Sequence, residues 1–496
     1  MSPVDLFLLV IAAIFVIGVI GELIFEKTDV PDVVWLILVG ILIGPVLGWV
    51  SRDRLIEIAP YFGALTLVIV LFDGGTELRL RDLGRAAPKA SVLALLSFVL
   101  STGAIAGVSM GAHAVGLIET WGWLQAITLG AIVGGSSSVV IMPALSRAKL
   151  DDKLSNLVNI ESALTDVLCV VVAGACVQIH LSQSADASAA LATLGKSFAV
   201  GLGVGAAAGF LALLVLRRLR KSQFGYPLVL GGLLVLFVLI NGLEGSSALG
   251  ILTASVIVGN APSLADSVGM HKSTGLSRGF RNTHDQITFI IKSFFFTFIG
   301  AMLAPPWSLI FLGVLLGLVL LLARVPAVFA LAAVTKIPPA QRNLIVVSMP
   351  RGMAAGVLAM IPATVDPAMP GTEILPVVVF ACVFTTILVF AAGFPLTKSR
   401  LTAASQADAP SATPSEGTSP DGSPDGTPDG APAASASNEG STDASSPMEA
   451  PPTPGETGDS THALPTTSPA APTPPPLPED GRVPSLQAPP PPNADT

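Results

Sequence analysis

Deep within an apolar stretch stands the run Asn159-Ile160-Glu161-Ser162-Ala163-Leu164-Thr165-Asp166. An ionisable side chain at mid-bilayer costs at least ~2.5 kcal/mol, so its presence there points to function. At 1.5 Å of rise per residue, Asp166 lies about 18 Å from the start of a span over 154–179, near the middle of a ~30 Å hydrocarbon core. Ser162 sits one turn earlier on the same face and Thr165 is adjacent. A lone carboxylate with hydroxyl neighbours can hold a bare monovalent cation, Na+ or K+, through oxygens. Burial penalises the charged carboxylate, so cation and proton would compete for one group. That competition is the minimum requirement of an exchanger.

Other charges read differently. Glu161 is five residues from Asp166, about 140° around the helix, so the two do not share a face. Its depth of about 10 Å is close to the roughly 12 Å of Arg351, which predicts a structural Glu161–Arg351 pair. Lys292 sits about 9 Å into its span, where three readings stay open: pairing with a carboxylate, carrying a second proton, or snorkelling to the inner interface. Arg324, just before Val325-Pro326, reads as a helix anchor. Asp73 and Glu22 lie near cytoplasmic ends, open to lining a funnel or to plain solvation. The five histidines (His113, His180, His271, His284, His462) read as loop or tail residues, solvated rather than pH-sensing. Cys169, Cys176 and Cys382 all fall in apolar runs, with no disulfide framework or metal-ligand spacing.

The elements that must position these groups are membrane helices. Of 496 residues, 51% are hydrophobic and 12% charged, against about 25% charged in soluble domains. Hydropathy divides residues 6–396 into about thirteen spans: 6–25, 32–50, 59–77, 90–112, 122–146, 154–179, 190–216, 226–243, 247–262, 286–304, 307–334, 343–363 and 374–396. The first run lacks a preceding basic region, so it reads as a membrane helix rather than a cleavable signal. Lys and Arg follow the third, fifth, seventh, ninth, eleventh and last spans, and are missing after the fourth, sixth, eighth, tenth and twelfth. Basic residues mark cytoplasmic loops, which predicts an external N-terminus and an internal C-terminus. Arg52 and Arg54 are the exception.

Two spans are interrupted. Gly134-Gly135-Ser136-Ser137-Ser138 breaks the fifth, and Pro350-Arg351-Gly352 breaks the twelfth. Broken helices at membrane depth are tolerated where they line a cavity, although small residues also permit close helix packing. Three stretches recur in order: Gly40 to Pro45 resembles the run ending Gly259-Asn260, the stretch at Gly75 resembles that at Gly300, and the two breaks correspond. Their offsets of roughly 215–225 residues cover seven spans, an odd number that inverts the second copy.

Residues 1–400 thus form a membrane domain of net charge +4, and residues 401–496 a tail of −12, with 13 acidic residues and one basic. The tail repeats Ser419-Pro420-Asp421-Gly422 at Ser423 to Gly426 and at Thr427 to Gly430. Its Pro, Ser, Thr and Asp content predicts disorder, with docking of a Pro-recognising domain as a weaker reading.

The residues Gly40 to Gly44 before Pro45, Leu71-Phe72-Asp73-Gly74-Gly75, Glu161 to Asp166 and Arg351-Gly352 resemble the monovalent cation:proton antiporter superfamily, over about residues 5–396. The resemblance implies an all-α polytopic fold of thirteen helices in two inverted repeats. It also implies crossed, unwound helices at the fifth and twelfth spans, a dimerisation and a mobile core domain, elevator-type motion and homodimers. Thr165-Asp166 stands where relatives usually have Asn-Asp or Asp-Asp, and a single carboxylate is similar to the electroneutral branch. Lys292, however, stands where the electrogenic branch keeps a lysine. Ser136-Ser137-Ser138 is closer to the Ser-Ser-Thr of potassium-transporting relatives than to the Thr-Asp-Pro of sodium exchangers.

The expectation is a secondary transporter of the cell membrane, with no cofactor, exchanging Na+ or K+ for H+ at Asp166. Ser162, Thr165, Ser136 and Ser137 would line the site, and Glu161, Arg351 and Lys292 would act as structural or modulating charges. The rival is a sodium-coupled symporter of an organic anion, for which Arg351 is the obvious ligand. An intramembrane hydrolase finds no support, because a lone carboxylate forms no aspartyl dyad and no histidine is expected at membrane depth.

Overall fold

The computed structural model describes residues 2–28, 30–78, 80–148, 152–182, 187–219, 224–267, 277–335, 337–366 and 369–407. Every regular element among them is helical: α1 Pro3–Thr28, α2 Asp32–Ile41 (continued by a π-turn, Leu42–Val46), α3 Arg52–Glu77, α4 Leu80–Ala114, α5 Trp123–Ile132, α6 Ser138–Arg147, α7 Asp152–Ser182, α8 Ala187–Arg218, α9 Gly225–Gly242, α10 Ser247–Gly259, α11 Ala261–Ser267, α12 Arg278–Met302, α13 Trp307–Thr335, α14 Pro339–Val347, α15 Met353–Leu358, α16 Ile361–Val365 and α17 Leu375–Ala407. Among the described residues, nine of these helices are long and apolar enough to cross a membrane. Four shorter apolar stretches, Asp32–Val46, Trp123–Ile132, Ser247–Gly259 and Met353–Val365, pack among them. The protein is an all-α, polytopic membrane protein.

Several helices outrun their apolar windows. Helix α12 starts at Arg278 rather than near 286, which puts His284 inside it; His113 and His180 fall in the last turns of α4 and α7. These three histidines are therefore helical, contrary to the loop assignment. Hydropathy registers only the length that lipid covers, whereas hydrogen bonding continues the helix past it. The tail beyond Ala407, and the basic loop residues Arg79, Lys149, Arg220, Lys221, Lys272 and Lys336, lie outside the described residues.

Side chains of α1 and α8 mostly face outward, as lipid-facing apolar residues do, while α17 runs through the centre, with Val377, Val378, Val379, Phe380 and Cys382 fully buried. Between apolar helices in lipid, packing rather than water exclusion drives association, so small residues collect where backbones approach. A methyl on Gly44 would lie 2.7 Å from the Ala301 backbone, and Gly40 and Gly300 leave each other no more room. On α3, a methyl on Gly75 would lie 2.5 Å from Ser255 Cβ, and one on Gly259 would lie 2.6 Å from Thr76 Cα. Glycines 205 and 313 play the same part between α8 and α10 and between α13 and α17.

These contacts are reciprocal with respect to the recurring sequence stretches. The stretch at Gly40 packs on the one at Gly300, and the stretch at Gly259 packs on the one at Gly75. A two-fold relation between halves requires that cross-pairing.

Candidate ion-binding site

The site is built on two helix interruptions. Helix α5 stops at Ile132 and α6 starts at Ser138; helix α14 stops at Val347 and α15 starts at Met353. Gly134 and Gly135 sit where side chains would not fit: a methyl on Gly135 would come 2.7 Å from Cys169 Sγ, and one on Gly134 would come 2.8 Å from the Phe98 ring. Glycine is thus required by space, and the following serines keep the freed backbone hydrogen-bonded. The two breaks touch directly, Ser137 N donating to Pro350 O at 2.9 Å, with Gly352 against the Ser137 side chain.

Helix α7 is fastened to the first break by its own polar face. Ser162 Oγ donates to Ser136 O at 2.8 Å, Ser136 N donates to Thr165 Oγ1 at 3.2 Å, and Thr165 Oγ1 donates to Ser162 O at 2.9 Å. The structure thereby brings together Ser136, Ser162 and Thr165, with Asp166 on the next residue. Ser136 and Thr165 are buried, while Asp166 is partly accessible. The Asp166 side chain makes no hydrogen bond or ion pair with the described residues. The buried Ser136 Oγ and Asn159 Oδ1 also lack partners. Charged groups acting on Asp166 through space are Glu77 and Asp73 from α3, Glu161 from α7, and Arg351 from the second break.

Glu161 does not pair with Arg351. Its two carboxylate oxygens accept from Arg324 Nη1 and Nη2, each at 2.8 Å, while Arg324 Nε donates to Ile345 O at 2.9 Å. Both side chains are at most 2% exposed. The depth estimate failed because Arg351 lies in a break, where 1.5 Å per residue does not apply, whereas Arg324 sits on the continuous α13. The planar guanidinium fork suits a carboxylate in a dry interior. Arg351 instead has a fixed backbone, its N donating to Thr386 Oγ1 at 3.0 Å, and a buried head whose Nε and Nη1 find no hydrogen-bond partner.

Lys292 is engaged by a different carboxylate, Asp32. Its Nζ lies 2.7 Å from Asp32 Oδ2 at the start of α2, an ion pair outside hydrogen-bond angles. Of the three open readings, carboxylate pairing is the one observed. His284 Nε2 lies 2.9 Å from Asp73 Oδ1, His284 Nδ1 lies 3.3 Å from the Tyr226 hydroxyl, and the Phe72 and imidazole rings meet edge to face. His284 is 7% exposed, so it is a packed core histidine rather than a solvated one.

Sequence reasoning did not single out Asp32, Tyr226 or Glu77, and it read Arg324 as a helix anchor and His284 as a solvated loop residue. Two signals were available. Glu77 follows Asp73 by one helical turn on the same face, and every deep charge needs a neutralising partner somewhere. Among the described residues, no group of three or more His, Cys, Asp or Glu could hold a metal ion. One carboxylate with hydroxyl and carbonyl oxygens suits a weakly held monovalent ion passing through as cargo.

A helical membrane protein with one unpartnered carboxylate beside two touching helix breaks has the features of a carrier rather than of a pore or a hydrolase. The sodium/hydrogen exchanger transmembrane family matches residues 9–397, and the chain belongs to that family. It is 28% identical over 268 residues to a K(+)/H(+) antiporter, NhaP, of Alkalimonas amylolytica, covering 53% of this chain and 45% of that protein. Over 315 residues it is 26% identical to a K(+)/H(+) antiporter, NhaP2, of Shewanella sp. (strain MR-4), covering 61% and 50%. Against Na(+)/H(+) antiporter 1 of Methanocaldococcus jannaschii it is 24% identical over 298 residues, covering 58% and 66%. The chain thus spans about half the length of the first two relatives. The solved structure of the sodium proton antiporter MjNhaP1 from Methanocaldococcus jannaschii at pH 8 superposes with a TM-score of 0.63 at 21% identity, covering 80% of this chain and 99% of that one. The two share a fold.

Proposed function

We propose that this protein is a secondary antiporter of the cell membrane, exchanging Na+ or K+ for H+ at Asp166. The observation that carries the reading is the contrast between the two carboxylates of α7. Glu161 is neutralised by a two-pronged bond to Arg324, while Asp166, one and a half turns on, is left without a partner. A carboxylate removed from bulk water is costly to leave bare, so it takes up a cation or a proton. It cannot hold both, and each enters as the other leaves. Ser162, Thr165, Ser136 and Ser137 supply hydroxyl and carbonyl oxygens to a dehydrated cation, and Asp73 lines its approach. The names of the relatives, K(+)/H(+) and Na(+)/H(+) antiporters, support both candidate cations and do not favour symport of an organic anion.

One exchangeable charge at the site makes the cycle electroneutral, one cation for one proton. The engagement of Lys292 with Asp32 supports this, because it removes the lysine from the exchange chemistry. The reciprocal helix packing supports two inverted repeats, and alternating access then follows from an elevator-like movement of the helices bearing the breaks, in each protomer of a homodimer.

The test is reconstitution of the full chain in proteoliposomes with a pH-reporting dye. Adding Na+ or K+ collapses an imposed proton gradient, and Asp166→Asn abolishes the response. Wild-type exchange rates in Asp166→Asn would sink the reading, and rates that follow an imposed membrane potential would sink electroneutrality.

A further inference from the structure

Glu161 pairs with Arg324 between α7 and α13, and Arg351, from the second break, acts through space on both and on Asp166. Glu161 and Arg324 satisfy each other, and the remaining Arg324 nitrogen is taken by Ile345 O. Their opposite charges cancel, so the pair presents no net charge to a third group. Arg351 is left over, 1% exposed, with Nε and Nη1 bonded to nothing.

The backbone around Arg351 is nevertheless tightly held. Its N is bonded to Thr386 Oγ1, the preceding carbonyl accepts from Ser137 N, and the following Gly352 abuts the Ser137 side chain. A guanidinium does not give up its proton in a protein, so this site carries a permanent positive charge with no ion-pair partner among the described residues. Its charged neighbours are Arg324 and Glu161, which cancel, and it acts through space on Asp166. The nearby Cys169 and Cys382 bring thiols rather than formal charges.

The charge balance of the four side chains then depends on Asp166 alone. With Asp166 bare they sum to zero; with a cation or proton on it they sum to one positive charge. We infer that Arg351 is a positioning residue that serves as the resident counter-cation of Asp166, opposing the bound substrate cation and so keeping its affinity low enough for release on both sides. The inference rests on the antiport reading, with Asp166 as the cation site. A purely structural role, offsetting the carbonyl ends of α5 and α14, is the competing account.

The two accounts differ in what happens to affinity. At an effective dielectric near 20, unit charges about 10 Å apart alter an equilibrium on the order of tenfold. Arg351→Gln is therefore expected to lower the Na+ or K+ concentration for half-maximal exchange about tenfold at alkaline pH, where protons do not compete for Asp166, together with a fall in maximal rate as release slows. Arg351→Lys, which keeps the charge, retains near-wild-type half-saturation. Arg351→Met, uncharged and of similar length, follows Arg351→Gln. The second measurement is independent of turnover: thermal stabilisation of the purified full chain by NaCl or KCl against choline chloride, whose half-effect concentration shifts in parallel.

An unchanged or raised half-saturation in Arg351→Gln overturns the inference, as does a lysine variant that behaves like glutamine. Failure of all three variants to fold also overturns it, by making the guanidinium a structural requirement. A wild-type chain with neither exchange nor cation-dependent stabilisation would instead refute the antiport reading itself.

Discussion

Replacing Glu161 by glutamine is the sharpest test of how the centre is held together. In the native arrangement both Arg324 terminal nitrogens donate to the carboxylate at 2.8 Å, and the pair is at most 2% exposed. Glutamine keeps the shape but offers one acceptor oxygen and no charge, so the guanidinium is left buried and uncompensated. Removing one partner of a buried ion pair costs about 3–5 kcal/mol. Replacing both partners by neutral groups of similar size is often close to neutral, because the desolvation of both charges disappears with the attraction. Arg324→Met should therefore recover most of the loss in a Glu161→Gln background, a coupling of at least about 2 kcal/mol. Arg351 acts on Glu161 and Arg324 only through space, so Arg351→Met should couple to Glu161→Gln more weakly than Arg324→Met does. SDS and thermal unfolding of the purified full chain in detergent measures all four corners of each cycle. Rescue of Glu161→Gln by Arg351→Met but not by Arg324→Met would refute the pairing, as would a single-variant loss below about 1 kcal/mol.

Two further outcomes follow from packing and from the Lys292 pair. A methyl on Gly75 would meet Ser255 Cβ at 2.5 Å, while one on Gly74 meets nothing within 4 Å; Gly75→Ala is thus expected to cost about 1–3 kcal/mol and Gly74→Ala to stabilise α3 by up to about 1 kcal/mol, read by the same unfolding assay. Lys292→Gln leaves the buried Asp32 carboxylate without its cation, so it should lower thermal stability, with Asp32→Asn restoring it, while exchange in proteoliposomes stays insensitive to a potassium-diffusion potential; voltage dependence that disappears with Lys292 would reverse the assignment.

Much of this was legible in the primary structure because lipid imposes a simple rule. Apolar length and the scarcity of charge reported membrane helices, and Gly134 to Ser138 and Pro350 to Gly352 marked the interruptions, since neither run can remain a regular helix in a crowded interior. Ser162, Thr165 and Asp166 were found through i, i+3 and i+4 spacing, which holds along the unbroken α7. Partner identity was not legible. Helical rise ranks depth along one helix but says nothing about which helices adjoin, and across a break it loses even depth. That is how Arg351 displaced Arg324 as the expected partner of Glu161. His284 was missed for a related reason: it lies on the polar extension of α12, where hydropathy reports a loop and tertiary packing supplies Asp73, Tyr226 and Phe72.

The bonding pattern also bears on which parts move together in the proposed cycle. Helix α7 is joined to the first break by Ser162–Ser136 and Ser136–Thr165, and the first break to the second by Ser137–Pro350. The second break is joined in turn to α17 through Arg351 N and Thr386. The Ser136, Ser137, Ser162, Thr165 and Thr386 side chains in this chain are buried. A buried hydrogen bond opened without a replacement partner costs about 1–3 kcal/mol, and several would have to open at once if α7 slid past the breaks. It is cheaper for α7, both breaks, the Arg324 part of α13 and the Thr386 part of α17 to travel as one body, with Asp166 carried inside it. Sliding must then occur at surfaces without such bonds, and apolar side chains that face lipid in α1 and α8 exchange neighbours at little cost. Thr386→Val, which removes the bond that ties the second break to α17, should accordingly lower the thermal stability of the purified chain by about 1–3 kcal/mol. An unchanged stability would mean that this bond does not hold the second break to α17 and that the moving body is smaller than the bonding implies.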